Sequence, residues 1–237
     1  MAEQGKNIPE QLLLNWPVNE KFAQGNFLAS YSNEKAVNWI DSWPDWQRGG
    51  EHFHCLIIFG PKGCGKTHLC HVWQEISNAQ LLSADALDKG DFLSTENLVY
   101  VLEDIDQYID NIETQHSLLH LYNWIREQGG YLLLTAGARP KSWPLSLKDL
   151  SSRLLATETV EIKAPDDELL KAVINKQFSD RQITVGDDVV NYLVARTERS
   201  FEAVRQMVQK IDDLSRMEKK KITIASARKA MENWDEV

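Results

Sequence analysis

Apolar residues fall into short dense runs separated by amphipathic stretches, and the two patterns alternate along the first two thirds of the chain. CLIIFG (55–60) is continuously apolar and ends in glycine, which predicts a strand buried on both faces. KTHLCHVWQEI follows it with helical spacing. AQLLSA (79–84), LVYVLED (98–104), YLLLTAG (131–137) and TVEIKAP (159–165) supply four further extended runs. Between the third and fourth of the five runs lies SLLHLYNWIREQGG (117–130), whose leucines and aromatics recur at helical spacing until a double glycine stops them. NEKAVNWIDSW (33–43) has a helical stripe at 36, 37, 39 and 40, with Asn33 placed to cap it. Short strands alternating with helices predict an α/β fold, a parallel five-stranded sheet covered on both faces.

Beyond Pro165 the extended runs give way to helices. DDELLKAVINKQF, VGDDVVNYLVARTE and SFEAVRQMVQKIDDLSRME predict three of them, with Ser200 capping the third. ITIASARKAMENW predicts a short extended piece and a last helix. No glycine-rich linker intervenes, so the helical part is expected to pack directly on the sheet. The predicted division is an N-terminal segment (1–20), an α/β domain (21–163) and a helical domain (164–237).

Composition narrows the partners. A chain of 237 residues, 43% hydrophobic and 26% charged, suits one moderate domain or two small ones. No apolar run reaches the ~18 residues of a membrane span, and no basic-then-apolar leader opens the chain. A cytoplasmic protein with no membrane partner is therefore expected. The net charge of −9 leaves little for gripping a phosphate backbone, so direct DNA binding is expected to be weak or absent. The basic residues that do concentrate, Arg216, Lys219, Lys220, Lys221, Arg228 and Lys229, fit a solvated turn. Cys55, Cys64 and Cys70 are an odd set suited to reduced thiols. HFHC and HLCH do not predict a metal site, because their ligands would converge across a loop needed for phosphate. The eight tryptophans are expected mainly in the core.

That loop is GPKGCGKT, which meets G-x-x-x-x-G-K-[ST] at every fixed position between a predicted strand and helix. Gly60, Pro61, Lys62, Gly63, Cys64 and Gly65 would wrap backbone N–H groups around phosphate, aided by the dipole of the following helix. Lys66 would reach the β- and γ-phosphates and Thr67 would hold Mg²⁺. LVYVLEDID places Glu103 and Asp104 at the end of a buried strand, where carboxylates bind Mg²⁺ through water or orient an attacking water. Thr135, in the next strand, is the kind of polar residue that senses a γ-phosphate. The expected cofactors are ADP or ATP with Mg²⁺.

The phosphate loop, LEDID, LLLTAG, LSSRL (150–154) and a C-terminal helical lid together resemble the AAA+ proteins of the DnaA clade, from about residue 20 to the end. The resemblance implies an AAA+ P-loop sheet with a lid, and it implies roles for particular residues. NFLASYSNEKA (26–36) is similar to the segment that places the adenine pocket, which puts Phe27 there. LSSRL is similar to the box carrying an arginine finger, which makes Arg153 the finger acting on a neighbour's nucleotide. Three positions depart from the clade. Glu103 replaces the first of two aspartates, and Gly137 falls where a sensor aspartate is expected. Glu202 stands at the second-sensor position, with Arg199 before it and Arg205 after it, so Arg199 is the candidate for phosphate and ADP is expected over ATP. The chain's own hydrolysis is left in question.

The opening stretch QLLLNWP (11–17) has two readings. As a strap it would pack its leucines and tryptophan on the body. As a docking peptide it is similar to the clamp-binding segment carried by shorter regulators of the clade, spanning Gln11, Leu12, Leu14 and Trp16, with Gln11 giving the polar contact and Leu14 and Trp16 the buried anchors. That reading implies the DNA sliding clamp (the β subunit of polymerase III) and DnaA as partners, DnaA-bound ATP being hydrolysed with help from Arg153. The competing function is a helicase-loader-type ATPase acting on a replicative helicase. A homo-oligomer fits either.

Overall fold

A computed structural model describes residues 28–48, 51–52, 54–94, 96–218 and 220–232. The longest apolar runs form strands that pair side by side: β3 (Cys55–Phe59), β5 (Val99–Leu102), β6 (Tyr131–Ala136) and β7 (Glu158–Glu161), with the two-residue β4 (Gln80–Leu81) at one edge. All five run parallel in the order β4-β5-β6-β3-β7. A separate two-stranded antiparallel ribbon, β1 (Gln47–Arg48) with β2 (Glu51–His52), precedes them.

Side chains alternate across the sheet, which explains why the inner strands β3, β5 and β6 are almost continuously apolar, while β7 at the other edge (ETVE) is not. Ile57, Phe59, Tyr100, Leu102, Leu132 and Leu134 face one layer, which contains α3 (Ala84–Lys89), α4 (Ile112–Gln128) and α5 (Lys148–Ala156). Their neighbours Leu56, Ile58, Val101, Leu133 and Val160 face α1 (Glu34–Asp41) and α2 (Lys66–Ser77) on the other side. Near the end of α2, Trp46 stacks on Trp73 at 5.4 Å and Trp43 and Tyr131 close edge-on around them. The expectation of core tryptophans holds for Trp46, Trp73 and Trp143, all buried.

Among the described residues the lid helices are α6 (Asp167–Asp180), α7 (Asp187–Val194), α8 (Phe201–Glu218) and α9 (Ile224–Glu232). They enclose a third core around Leu170, Phe178, Leu193, Val204 and Ile211. As expected, no long linker intervenes: five residues separate β7 from α6.

Several boundaries move. The run 98–104 is a strand only to Leu102, and Asp104 leaves it with φ 48°, opening a 3-10 turn over Ile105–Gln107. The run 159–165 pairs only to Glu161, although Ile162 N–H still donates to Phe59 O. The extended piece expected at ITI does not form: residues 220–223 carry no strand and Ile224 already belongs to α9. The helix expected from 117 starts at Ile112, capped by Asn111, and ends as expected at Gly129 with φ 71°. Asn33 precedes α1 but does not cap it with its side chain. Its amide instead accepts from Ser30 N–H and donates to Leu28 O, closing the turn that enters the helix.

Candidate functional site

The site begins where β3 ends. Gly60 N–H donates to Ala136 O of β6, and a Cβ at Gly60 would lie 2.1 Å from Ile162 O, so the chain passes there only as glycine. Gly63 turns with φ +75°, a left-handed conformation that a side chain resists. Lys66 then opens α2. It is 8% exposed, and its ammonium donates to Gly60 O at 2.9 Å and Pro61 O at 3.3 Å, with Asp104 Oδ1 3.9 Å away. The buried ammonium is thus partnered by carbonyl oxygens of its own loop and lies near a carboxylate, as a charge out of water must be. Cys64 is buried beneath the loop. Burial pushes its thiol up, and the nearby Lys66 offsets this only in part.

β5 delivers the acids to the same place. Thr67 Oγ1 donates to Glu103 Oε2 at 2.5 Å, joining the two motifs read separately in the sequence. Asp104 N–H donates to Thr135 Oγ1 at 2.9 Å, so Thr135, almost fully buried, fixes the turn that carries both acids. The structure therefore brings Lys66, Thr67, Glu103, Asp104 and Thr135 together at the ends of three adjacent or near-adjacent strands, where open α/β sheets hold ligands.

Two supporting residues were not singled out from the sequence. Tyr108 Oη donates to Glu103 O at 2.7 Å. Burial raises its phenol first, and the Asp104, Glu103, Asp106 and Asp88 carboxylates add to this, so it remains a donor. Asp106 accepts from Gly137 N–H at 2.8 Å and Ala138 N–H at 3.1 Å, tying the acidic turn to the end of β6. A Cβ on Gly137 would come within 3.2 Å of Asp106 Oδ2, so the glycine at the expected sensor position leaves room for this bond. Asp106 was in view in LEDID, but spacing alone does not say which acid serves structure.

The lid closes over the loop. Phe201 N–H donates to Gly63 O at 2.9 Å, and a Cβ on Gly63 would meet Ser200 Cβ at 2.6 Å. Ser200 caps α8 as expected, accepting from Ala203 N–H at 3.1 Å. Replacing it with alanine should cost about 1 kcal/mol, the usual loss for a cap, read as a lowered urea midpoint. An unchanged midpoint would show that the cap contributes nothing.

Glu202 begins the first turn of α8. Arg205 pairs with it at 2.7 Å and Gln206 donates to it at 2.7 Å. These hydrogen bonds hold its carboxyl below the usual range, Arg205 most and Gln206 next, and the charge of Lys62 in the loop helps. Arg199 is directed elsewhere: it pairs with Asp167 at 2.8 Å and donates to Pro165 O at 3.3 Å, bracing the start of α6. Arg153 lies on α5, its guanidinium on Asp149 one turn back at 3.1 Å and 3.2 Å. Phe27, Gln11, Leu12, Leu14 and Trp16 lie outside the described residues. Among the described residues, no group of three or more His, Cys, Asp or Glu is placed to hold a metal ion, and no helix is long and apolar enough to cross a membrane.

A parallel sheet with a phosphate loop after its β3 strand and a helical lid seated on that loop is the AAA+ type of P-loop fold. Residues 166–231 match the family model for the Hda lid domain. The chain is 25% identical over 205 residues to the chromosomal replication initiator DnaA of Lachnoclostridium phytofermentans, covering 77% of this chain and 45% of that protein. It thus spans about half the length of that DnaA. An uncharacterized protein of Haemophilus influenzae is 28% identical over 186 residues, covering 74% of this chain and 80% of that one. Among solved structures, AMPPCP-bound DnaA from Aquifex aeolicus has the same fold, with a TM-score of 0.71 at 19% identity over 92% of this chain and 71% of that one. The chain is thus similar to the DnaA initiators in sequence and fold, and its residues 166–231 match a lid of the Hda kind.

Proposed function

We propose that this protein is a nucleotide-holding regulator of replication initiation that docks on the DNA sliding clamp and promotes hydrolysis of ATP bound to DnaA. The observation that carries this reading is an Hda-type lid seated on a complete phosphate loop, joined by the Phe201 N–H bond to Gly63 O. AMPPCP in the DnaA structure of the same fold supports a nucleotide here.

The residues present fit an adenine nucleotide. Backbone N–H groups of residues 63–67 and the start of α2 would take the phosphates, and Lys66 would exchange its loop carbonyls for phosphate oxygens. Thr67 and Glu103, already hydrogen-bonded to each other, would hold Mg²⁺ with Asp104 close by. Bound Mg²⁺ would neutralise phosphate charge. Glu202 stands at the second-sensor position that the resemblance implies, where a carboxylate would oppose the added charge of a γ-phosphate, so we take ADP as the resident nucleotide. Domain boundaries near residues 20 and 163 suit this division of labour, since the phosphate loop belongs to the sheet and Glu202 to the lid.

Arg153 suits action on a neighbour. Its pair with Asp149 is an i,i+4 contact at the surface, worth only about 0.3–0.5 kcal/mol, and is readily given up for a phosphate oxygen. A guanidinium presented to a transferring phosphoryl group stabilises its charge. Hydrolysis would leave DnaA with ADP, and initiation would stop.

The test is a reconstitution. DnaA loaded with ATP, clamp-loaded DNA and this protein should together convert the bound ATP to ADP faster than DnaA alone. No acceleration would contradict the proposal, and capture of a replicative helicase in place of the clamp would favour a loader.

The clamp contact has its own prediction. Changing Gln11, Leu14 and Trp16 together to alanine should remove clamp binding and leave the melting temperature nearly unchanged, because a docking peptide buries its anchors in the partner. A strap would give the opposite pair of results, with binding kept and stability lost.

A further inference from the structure

We propose that Gln115 is the positioning residue of the helix that carries Arg153; this rests on the finger role proposed above. Gln115 lies in the first turns of α4, is fully buried, and uses its amide four times. Its Nε2 donates to Ile109 O at 2.9 Å and Pro144 O at 3.3 Å. Its Oε1 accepts from Ser146 N–H at 2.9 Å and Leu147 N–H at 3.0 Å. One side chain thus joins the end of the acidic turn after β5, the base of α4 and the segment that enters α5.

The bonds fall where α5 needs them. A helix begins with backbone N–H groups that have no partner within it, and its cap residue ordinarily supplies one. Here the cap position is Leu147, which has no side-chain acceptor. Gln115 supplies an acceptor from outside the helix, to the cap residue itself and the one before it. Leu150 and Leu154 then anchor the helix in the core by its apolar side. Two leucines one turn apart resist lifting but resist rotation and sliding less well. The amide clasp fixes the starting point and so the height at which Arg153, six residues on from Leu147, is presented. Gln115 also reads the other end of the site, because Ile109 closes the turn that contains Asp104 and Asp106.

Gln115→Met keeps the side chain's length and removes all four bonds. In the reconstituted assay with DnaA–ATP and clamp-loaded DNA, stimulation should fall roughly tenfold to a hundredfold, the scale that a displacement of about 1 Å imposes on a transition-state contact. Binding of ADP and of the clamp should be unchanged. Amide hydrogen exchange should quicken over residues 146–156 and not in the lid, a local signature that general destabilisation does not give. Gln115→Glu, which keeps an acceptor for Ser146 and Leu147 but loses the donor bonds to Ile109 O and Pro144 O, should stimulate less than the wild type and more than Gln115→Met. If the methionine variant does not fold, wild-type stimulation and wild-type exchange over residues 146–156 in Gln115→Glu would overturn the role. Full stimulation by Gln115→Met, alongside loss in Arg153→Ala, would overturn the positioning role and leave the finger intact. Faster exchange throughout sheet and lid would also overturn it. Full stimulation by Arg153→Ala would remove the finger reading and this role with it.

Discussion

Lys66→Ala is expected to abolish nucleotide binding, with ADP affinity falling about a hundredfold or more. Losing a charge-assisted contact to phosphate costs about 1.5–3 kcal/mol, and each 1.4 kcal/mol is a factor of ten. Lys66 makes more than one such contact available, since its ammonium already rests on two carbonyl oxygens at the loop's mouth and lies near Asp104. The free variant should stay folded, because the side chain's stabilising partners are loop carbonyls and not the core. Nucleotide that binds only the native state raises its stability, by about 2.7 kcal/mol at a hundred times Kd. Saturating ADP should therefore raise the melting temperature of the wild type and not of the variant. Calorimetry on both proteins checks the first part and thermal denaturation the second. ADP binding by Lys66→Ala equal to wild type would show that the loop is not the nucleotide site.

What could be read from the sequence follows the physics of burial. The central strands are covered on both faces, so every residue of CLIIF and most of YLLLTA is apolar and the runs stand out. Strand ends are set by pairing partners, which composition does not display. β4 is cut to two residues because the ladder with β5 registers only Gln80 and Leu81, and Leu82 adds a single N–H bond to Val101 O before the chain turns into the next helix. The phosphate loop was legible because its chemistry needs fixed residue types at fixed spacing, and the structure joins it to LEDID through Thr67 and Glu103. Gln115 and Asp106 were not legible, because a single polar residue in an amphipathic stretch looks the same whether it faces water or clasps buried backbone. Asn33 shows the converse. Its residue type suits a cap, but Ser30 N–H and Leu28 O claim its amide first. The match to the Hda lid follows from the whole lid sequence, of which the notable Glu202 is one position.

Arg153→Ala carries the second large effect. Removing a finger guanidinium takes away transition-state stabilisation worth on the order of 10³ or more in rate, while the monomer loses only a surface pair with Asp149. Folding, ADP binding and clamp binding should thus be those of the wild type, and the loss should appear only in the partner. The direct measurement is the single-turnover rate of ATP hydrolysis on DnaA, with clamp-loaded DNA and saturating amounts of either protein. The account predicts rapid hydrolysis with the wild type and a rate no faster than DnaA alone with Arg153→Ala. Equal stimulation by both proteins would contradict it.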